Sequence, residues 1–228
     1  MITKTFLFKN YKSLKTLFVA TIICSGLLAV RIKLTHDFYM LFMAWNLILA
    51  LIPFVISITF LQGLKDVSGK SKLAFIPVAM LWLLFLPNAP YMITDLIHTN
   101  NHSGFLIFVD TITISSFAIT GMIAALQSMD HMIAIIAKLW QPLSKFRLRI
   151  MQHSLWWLSA LGIYLGRVLR WNSWDIVKRP MHIVNDTIAL FTDPFTHKSA
   201  WLLIIGLGVL FSFVQYVYSK YNRHETEE

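Results

Sequence analysis

The side chains best suited to chemistry are concentrated in two short stretches of an otherwise apolar chain. The first stretch, Phe85–His98, reads FLPNAPYMITDLIH. If a helix resumes after Pro90, Asp95 and His98 lie three residues apart on one face. A carboxylate and an imidazole at this spacing suit either a metal site or a carboxylate that orients a histidine. The alternative is that both residues lie at the water interface and only end the helix.

A further carboxylate, Asp110, begins the next apolar block after a short hairpin. Thr113, Ser116 and Thr120 follow it at spacings of three and four residues, which places all four side chains on one helical face. An aspartate inside a membrane span is costly unless it is paired or faces water. We therefore expect this face to point into a helix bundle and Asp110 to have a functional role.

The second stretch, Gly166–Asp175, reads GRVLRWNSWD and sets arginines beside tryptophans. Guanidinium groups bind phosphate or carboxylate bidentately, and indole rings prefer the membrane interface, so the pattern suits recognition of an anionic headgroup. It also fits an aromatic belt with snorkelling arginines. A third interpretation is structural, in which Arg167 or Arg170 neutralises a carboxylate of the bundle, Asp95 or Asp110.

The candidate residues for binding a ligand, a proton or an ion come from these stretches and from the block that follows the first. They are Asn88, Tyr91, Asp95, His98, Asp110, Arg167, Arg170, Trp171, Asn172, Trp174 and Asp175. Asp95, His98 and Asp110 are the candidate metal ligands. The other histidines, among them His131, lack metal-binding spacing and are assigned to loops. The sequence contains no serine-hydrolase, nucleotide-binding or thiol-redox motif, so it assigns neither a catalytic residue nor a cofactor.

The composition indicates a membrane protein. Of 228 residues, 57% are hydrophobic and 14% are charged, with a mean hydropathy of +0.63, whereas soluble domains carry about a quarter charged residues. All three glutamates lie in the last four positions, so carboxylates within the body of the protein come from aspartate. The net charge of +9 arises from Lys and Arg between apolar blocks, which indicates membrane topology rather than nucleic-acid binding.

The apolar blocks predict an all-α bundle of about six transmembrane helices in a single membrane domain, residues 1–228. The predicted spans are residues 14–30, 38–61, 73–97, 105–126, 153–169 and 200–218, with interfacial segments at 130–145 and 175–198. Pro87–Pro90 interrupts the third span. The apolar run before this break is only about 21 Å long, which is too short to cross a hydrocarbon core of about 30 Å. We expect the helix to restart with Asn88 as N-cap and Pro90 in the first turn.

The distribution of basic residues predicts the orientation. Thirteen Lys and Arg fall on the side of the predicted N-terminus and seven on the opposite side. The asymmetry favours cytoplasmic N- and C-termini. Five of the seven opposing charges lie in one loop, Arg167, Arg170, Lys178, Arg179 and Lys198. The lipid bilayer is the expected partner, and the oligomeric state stays open.

The two stretches together resemble the bacterial membrane family catalogued as domain of unknown function 1361, over a region from about the second span to the last. The resemblance implies a multi-spanning bacterial membrane protein without an assigned activity. Its probable signature positions in this chain are Pro87, Asn88, Pro90, Tyr91, Asp95, Arg170, Trp171, Asn172, Trp174 and Asp175.

Three functions fit these observations. In the first, an anionic small molecule or lipid headgroup is bound or transported. The helix broken at Pro87–Pro90 presents free N–H groups and a half-helix dipole, Arg167 and Arg170 add positive charge, and Asp95 and Asp110 bind protons or cations. In the second, Asp95, His98 and Asp110 hold a metal ion that activates water in a membrane-embedded hydrolase or transferase. The third is a non-catalytic membrane scaffold.

Overall fold

The chain folds into helices, which confirms the predicted all-α class. The computed structural model describes residues 4–64, 67–101, 104–171 and 175–227, and every regular element in these ranges is helical. The α-helices are α1 (Lys4–Thr35), α2 (Phe42–Gly63), α3 (Gly69–Phe85), α4 (Asn88–Tyr91), α5 (Phe105–Leu139), α6 (Lys145–Arg167), α7 (Asp175–Lys178), α8 (Pro180–Thr192) and α9 (Lys198–Glu227). A 3-10 turn at Tyr39–Leu41 precedes α2, and a 3-10 helix at Met92–Asn101 follows α4.

Five described segments are long and apolar enough to cross a membrane. They are Ser13–Thr35, Tyr39–Gly63, Gly69–Leu96, Phe105–Leu139 and Lys198–Tyr221. Between 22% and 44% of their apolar windows is buried inside the protein, so most of these side chains face outward. Apolar surface on this scale requires lipid rather than water as its solvent. The prediction of a multi-pass membrane protein is therefore confirmed.

The described chain divides into two compact units, residues 1–142 and 143–228, whereas the sequence pattern predicts one domain. In the first unit α5 is the central helix and contacts α1, α2, α3 and α4. Part of its core is formed by Leu17, Phe54, Ile58 and Ala124. Buried residues recur on α5 at helical spacing from Asp110 to Leu139, because one face of this helix packs against the neighbouring helices.

The helix α5 is longer than the sequence pattern predicts. The predicted span ends at residue 126, where Gln127, Ser128 and Asp130 interrupt the apolar run, and a separate interfacial segment follows. In the structure the helix continues to Leu139, because no helix-breaking residue occurs before Pro142. The inner face of this extension is buried, as Ser128 is fully enclosed and donates a hydrogen bond to the Ala125 carbonyl at 2.8 Å.

The third span is interrupted at the predicted place, although its backbone opens less than expected. The helix α3 ends at Phe85, and α4 begins at Asn88 with Pro87 rather than Asn88 in the N-cap position. The N–H of Ala89 donates to the Leu86 carbonyl at 3.2 Å, and that of Tyr91 donates to Pro87 at 3.1 Å. The expectation of free N–H groups at membrane depth is therefore wrong for these donors. With only four residues, α4 also has little dipole of its own.

The second unit contains α6 and α9 packed against each other. The Nε1 atom of Trp156 donates to Oε1 of Gln215 at 3.0 Å, and its ring lies 5.5 Å from that of Phe211. The buried residues of α6 lie between Trp156 and Tyr164. If the two helices were parallel, the buried residues of α6 that follow Trp156 would pack against α9 residues that follow Gln215. Residues 216–221 of α9 are not buried, so this arrangement is excluded. The two helices are therefore antiparallel.

The sixth predicted span, residues 153–169, falls almost entirely within α6. This helix is not among the five apolar segments, because Gln152, His153 and two tryptophans lower its mean hydropathy. Its antiparallel packing along α9, which is one of the five, supports the prediction that α6 also crosses the membrane.

Candidate functional site

A fully buried arginine, Arg31, joins α1 to α5 in the first unit. Its Nε atom donates a hydrogen bond to Oδ1 of Asp110 at 3.1 Å, and the two side chains are 0% and 4% exposed. Its Nη1 atom donates to the backbone oxygen of Asp37 at 2.9 Å and lies 3.6 Å from Oδ2 of the same residue. The remaining nitrogen, Nη2, is also buried, and it has no hydrogen-bond partner within the described ranges.

Only some of the hydrogen-bond donors of the Arg31 guanidinium therefore have acceptors within the described ranges. Its Nε and Nη2 atoms form the edge that binds carboxylates and phosphates through two parallel hydrogen bonds, and Asp110 occupies the Nε half. A buried donor that lacks an acceptor costs about 1–3 kcal/mol. An additional oxygen atom beside Nη2 would remove this cost, so the geometry favours an oxyanion or a water molecule there.

A second buried carboxylate, Asp95, joins the 3-10 helix to α2. It is 0% exposed, and its Oδ2 atom accepts a hydrogen bond from Nδ2 of Asn46 at 3.2 Å. The neighbouring Thr94 donates its hydroxyl hydrogen to the Tyr91 carbonyl at 2.7 Å. The hydrogen bond from the Asn46 amide thus connects a buried carboxylate of the interrupted third span to α2.

These side chains lie toward one end of the first unit. Arg31 is about 6 Å from the end of its span and Asp110 is about 8 Å from the start of its own, at 1.5 Å per helical residue. Asp95 lies at the end of the third span, and Asn46 is about 10 Å from the start of the second. We call the group of Arg31, Asp37, Asn46, Asp95 and Asp110 the polar centre.

The polar centre contains two of the predicted residues and three that the sequence pattern misses. Asp95 and Asp110 are buried among the helices. Arg31, Asn46 and Asp37 are not among the sequence candidates, because an arginine that ends an apolar run resembles a topology signal. Arg31, from the first unit, gives Asp110 a cationic partner.

The residues of the second predicted stretch belong to the second unit. Arg167 is half-buried at the end of α6, and Arg170 is exposed with a left-handed φ of 59°. The indole of Trp171 donates to Oδ2 of Asp186 at 2.8 Å, and Asp175 begins α7. Asn172 and Trp174 lie outside the described residues.

The metal-site prediction concerns Asp95, His98 and Asp110. The side chain of His98 lies outside the described part of the protein. Among the side chains that are described, no group of three or more His, Cys, Asp or Glu is placed to hold a metal ion. Arg31 already supplies a positive charge beside Asp110, which disfavours a metal ion at that carboxylate. The last two candidates of the first stretch, Asn88 and Tyr91, are half-buried at the two ends of α4.

A comparison with protein families identifies the chain at this point. The family described as a protein of unknown function, DUF1361, matches residues 45–216. The chain belongs to this family. The match includes Asn46, Asp95 and Asp110 and begins after Arg31. Comparisons with curated proteins and with solved structures found no match.

In this DUF1361 protein, Gly121 lets the interrupted third span approach α5 closely. A methyl group added at Gly121 would overlap the carbonyl oxygen of Ala89 and lie 2.6 Å from Cε of Met92. Both neighbours belong to the segment between Pro87 and Asp95. The absence of a side chain at Gly121 therefore fixes the position of the chain that leads into the polar centre.

The DUF1361 protein also contains a buried histidine that the sequence pattern assigns to a loop. His131 lies within α5 and is 6% exposed, with its Nδ1 atom 3.1 Å from Oγ of the fully buried Ser57. The Ser57 hydroxyl also lies 3.0 Å from the Phe54 carbonyl oxygen. Its single hydrogen can serve only one of these two neighbours, so the direction of the Ser57–His131 bond is set by the histidine tautomer.

Proposed function

We propose that this DUF1361 protein binds a small anionic molecule at the polar centre and carries it across the membrane. The supporting observation is the buried Nη2 atom of Arg31, a charged donor without an acceptor in the described ranges. A carboxylate or phosphate oxygen beside Nη2 would complete the hydrogen bonds of the guanidinium. Arg31 thus takes the role that the sequence pattern suggests for Arg167 and Arg170.

An incoming anion would compete with Asp110 for Arg31. The Asp110 carboxylate occupies the Nε half of the guanidinium edge, and its charge opposes a second anion beside it. Without that charge, the whole Nε–Nη2 edge would be available to the incoming oxyanion. We therefore infer that Asp110 weakens anion binding and favours release of the ligand.

The proposal requires that the protein bind a small anion and that this binding depend on Arg31. The test uses the full-length protein in detergent and measures the binding of inorganic phosphate and of succinate by calorimetry at pH 7.5. We expect at least one of them to bind to the wild type. Equal affinity in the wild type and in a variant without the Arg31 charge would contradict the proposal.

Two variants separate the roles of the charges. Arg31→Gln removes the anion ligand and should weaken binding by about 30-fold or more, which corresponds to about 2 kcal/mol. Asp110→Asn removes the competing charge and should bind the anion more tightly than the wild type does. The matched control is Lys33→Gln, an exposed cation on the same helix, which should leave the affinity unchanged.

The same chemistry would recognise a phosphorylated lipid headgroup, since the polar centre lies only one to two helical turns from the end of the spans. Lipids that co-purify with the protein are therefore identified by mass spectrometry. A phosphorylated lipid that is retained by the wild type and lost in Arg31→Gln would identify the headgroup as the ligand. If neither soluble anion nor any lipid depends on Arg31, the proposed function is wrong.

A scaffold function makes the opposite prediction for the same variants. In that case the Arg31–Asp110 pair only holds α1 against α5, and Asp110→Asn would lower stability without tightening anion binding. The metal-dependent alternative is tested by elemental analysis of the purified protein. A stoichiometric zinc or manganese ion that is lost in Asp95→Asn would favour it over anion binding.

A further inference from the structure

The helix α8 in the second unit has three distinct faces. Its packed face includes Leu190, which is 1% exposed and whose carbonyl oxygen accepts a hydrogen bond from Nε1 of Trp201 at 3.1 Å. A second face carries exposed polar residues, His182, Asn185 and Thr192. The third is an apolar stripe of exposed side chains at spacings of three and four residues, Met181, Val184, Ile188 and Phe191. Phe195, which is 79% exposed, continues the stripe beyond the helix.

A helix with a water-compatible face beside an exposed apolar face is suited to the plane of a membrane interface. The chain that follows α8 supports this location. Only a short turn separates Thr192 from Lys198, where the last candidate span begins. The end of α8 is therefore held near the point at which the chain enters the membrane, and lipid is the solvent that its apolar stripe requires.

A cationic cleft lies at the start of this helix. It has a volume of about 380 Å³ and is lined by Trp171, Lys178, Arg179, Pro180, Met181 and His182. Lys178 and Arg179 are both exposed, and neither forms an ion pair with a carboxylate within the described ranges. Two carboxylates are near the cleft. Asp186 accepts the hydrogen bond from the Trp171 indole, and Asp175 begins α7 about one turn before Lys178 and Arg179.

Two contacts fix the position of the Trp171 ring in the lining of the cleft. The ring is stacked on His182 with 6.5 Å between the ring centroids and 27° between the planes, and its Nε1 atom donates to Oδ2 of Asp186 at 2.8 Å. Around the cleft, residues 167–198 contain five Lys and Arg but only three Asp. The electrostatic balance therefore favours an anion, and Trp171 supplies a flat surface of the type found at lipid headgroups.

We propose that α8 is an interfacial helix and that the cleft at its start binds the phosphate of an anionic phospholipid. Met181 carries the argument, because it lines the cleft and is also the first residue of the apolar stripe. A ligand that fills both has a negatively charged head at Lys178 and Arg179 and acyl chains along Val184 and Ile188. A soluble phosphate would use the cations and leave the stripe uncovered.

The test measures which lipids the full-length protein retains. The protein is purified in detergent, equilibrated with equal amounts of phosphatidylglycerol and phosphatidylcholine, and analysed by native mass spectrometry. We expect the wild type to retain phosphatidylglycerol preferentially. The double variant Lys178→Gln/Arg179→Gln should lose this preference by about tenfold. The matched control is Lys145→Gln/Arg147→Gln, which removes the same charge from exposed positions at the start of α6.

A second pair of variants tests the apolar stripe. Ile188→Gln should reduce retention of both lipids without changing their ratio, and Asn185→Gln, on the polar face, should change neither. The proposal is overturned if the wild type retains the two lipids equally or if the α6 control loses the preference as strongly as the cleft variant. It is also overturned if millimolar inorganic phosphate displaces phosphatidylglycerol completely while Ile188→Gln has no effect, because the ligand is then a soluble anion.

Discussion

The Nε atom of Arg31 lies 3.1 Å from Oδ1 of Asp110, although 79 residues separate the two along the chain. Both side chains are almost completely enclosed, at 0% and 4% exposure. A charge in such a place is tolerated only with its counter-charge, because the cost of removing an ion from water is several kcal/mol. The pair therefore makes the position of α1 depend on that of α5.

The first prediction concerns this ion pair. Arg31→Met leaves Asp110 buried without its counter-charge and should lower the free energy of unfolding by about 3–5 kcal/mol. The double variant Arg31→Met/Asp110→Leu removes both charges and should recover most of that loss. Unfolding in detergent micelles by chemical denaturant measures all three variants, including Asp110→Leu.

The double variant also separates stability from function. If the pair has only a structural role, the restored stability should be accompanied by restored growth and lipid composition in cells that depend on the protein. The proposed function requires the opposite result, in which the double variant is stable but binds neither phosphate nor succinate. If the double variant loses as much unfolding free energy as the two single variants lose together, the two residues do not interact.

The second prediction concerns Asp193, which lies between α8 and α9. Hydrogen bonds from Thr196, first from its hydroxyl at 2.6 Å and then from its backbone N–H, together with the charge of His197, hold the pKa of Asp193 below its ordinary value of 3.8. The folded state thus favours the ionised form. The resulting stability is present above pH 3.8 and is lost as the pH falls toward the lowered pKa.

An NMR titration of the Asp193 carboxyl carbon tests this directly. We expect a midpoint below 3.8 in the wild type and a rise toward 3.8 in Thr196→Val, which removes the hydroxyl donor. Thr192→Val is the control, because that hydroxyl bonds only to the backbone carbonyls of Ile188 and Ala189. Equal midpoints for Thr196→Val and the wild type would show that the hydroxyl bond has no effect on the carboxyl.

Much of the fold can be predicted from the sequence because the bilayer imposes simple rules on it. An apolar run of about 20 residues must form a helix in order to satisfy its backbone in lipid. The break at Pro87 and Pro90 is also predictable, since two prolines three residues apart remove two N–H donors within one turn. A single proline is not sufficient, because Pro53 and Pro77 lie inside α2 and α3. The end of α5 cannot be predicted in this way. Ser128 and His131 are residue types that are usual at a membrane interface, and only the structure shows that neighbouring helices bury them.

The candidate site is predictable only in part. Asp110 is conspicuous as a carboxylate in an apolar block, and the structure places it in the bundle. Arg31 gives no such signal, because a basic residue at the end of an apolar run is usual at a membrane surface. Only the packing of α1 on α5 brings it to a carboxylate. The same holds for Asn46 and Asp95, whose hydrogen bond joins different spans.

The third prediction concerns Gly121. The variant Gly121→Ala forces its methyl group against the Ala89 carbonyl and should lower the free energy of unfolding by about 1–3 kcal/mol, since backbone cannot give way easily. Gly26→Ala on α1 is the matched control, because an added methyl group there meets no atom within 4 Å. The control should be neutral or slightly stabilising, as alanine is the better helix former. Equal effects at both glycines would mean that α5 and the interrupted span are not in close contact.

The fourth prediction concerns the number of membrane crossings. If α6 crosses the membrane antiparallel to α9, the spans number six, and the two ends of the chain lie on the same side. With α6 outside the membrane there are five spans, and the ends lie on opposite sides. Tyr11, Phe38 and Tyr221 are each 65% exposed, so cysteines at these positions report their side of the membrane equally well.

The measurement is labelling of intact cells with a membrane-impermeant maleimide, in a Cys24→Ala background that removes the only native cysteine. Phe38→Cys, between the first two spans, should react in intact cells. Tyr11→Cys and Tyr221→Cys should both react only after the membrane is permeabilised, because the basic residues favour cytoplasmic termini. Labelling of Tyr221→Cys in intact cells, with Tyr11→Cys still protected, would place α6 outside the membrane. The polar centre would be unaffected, since it lies entirely within the first unit.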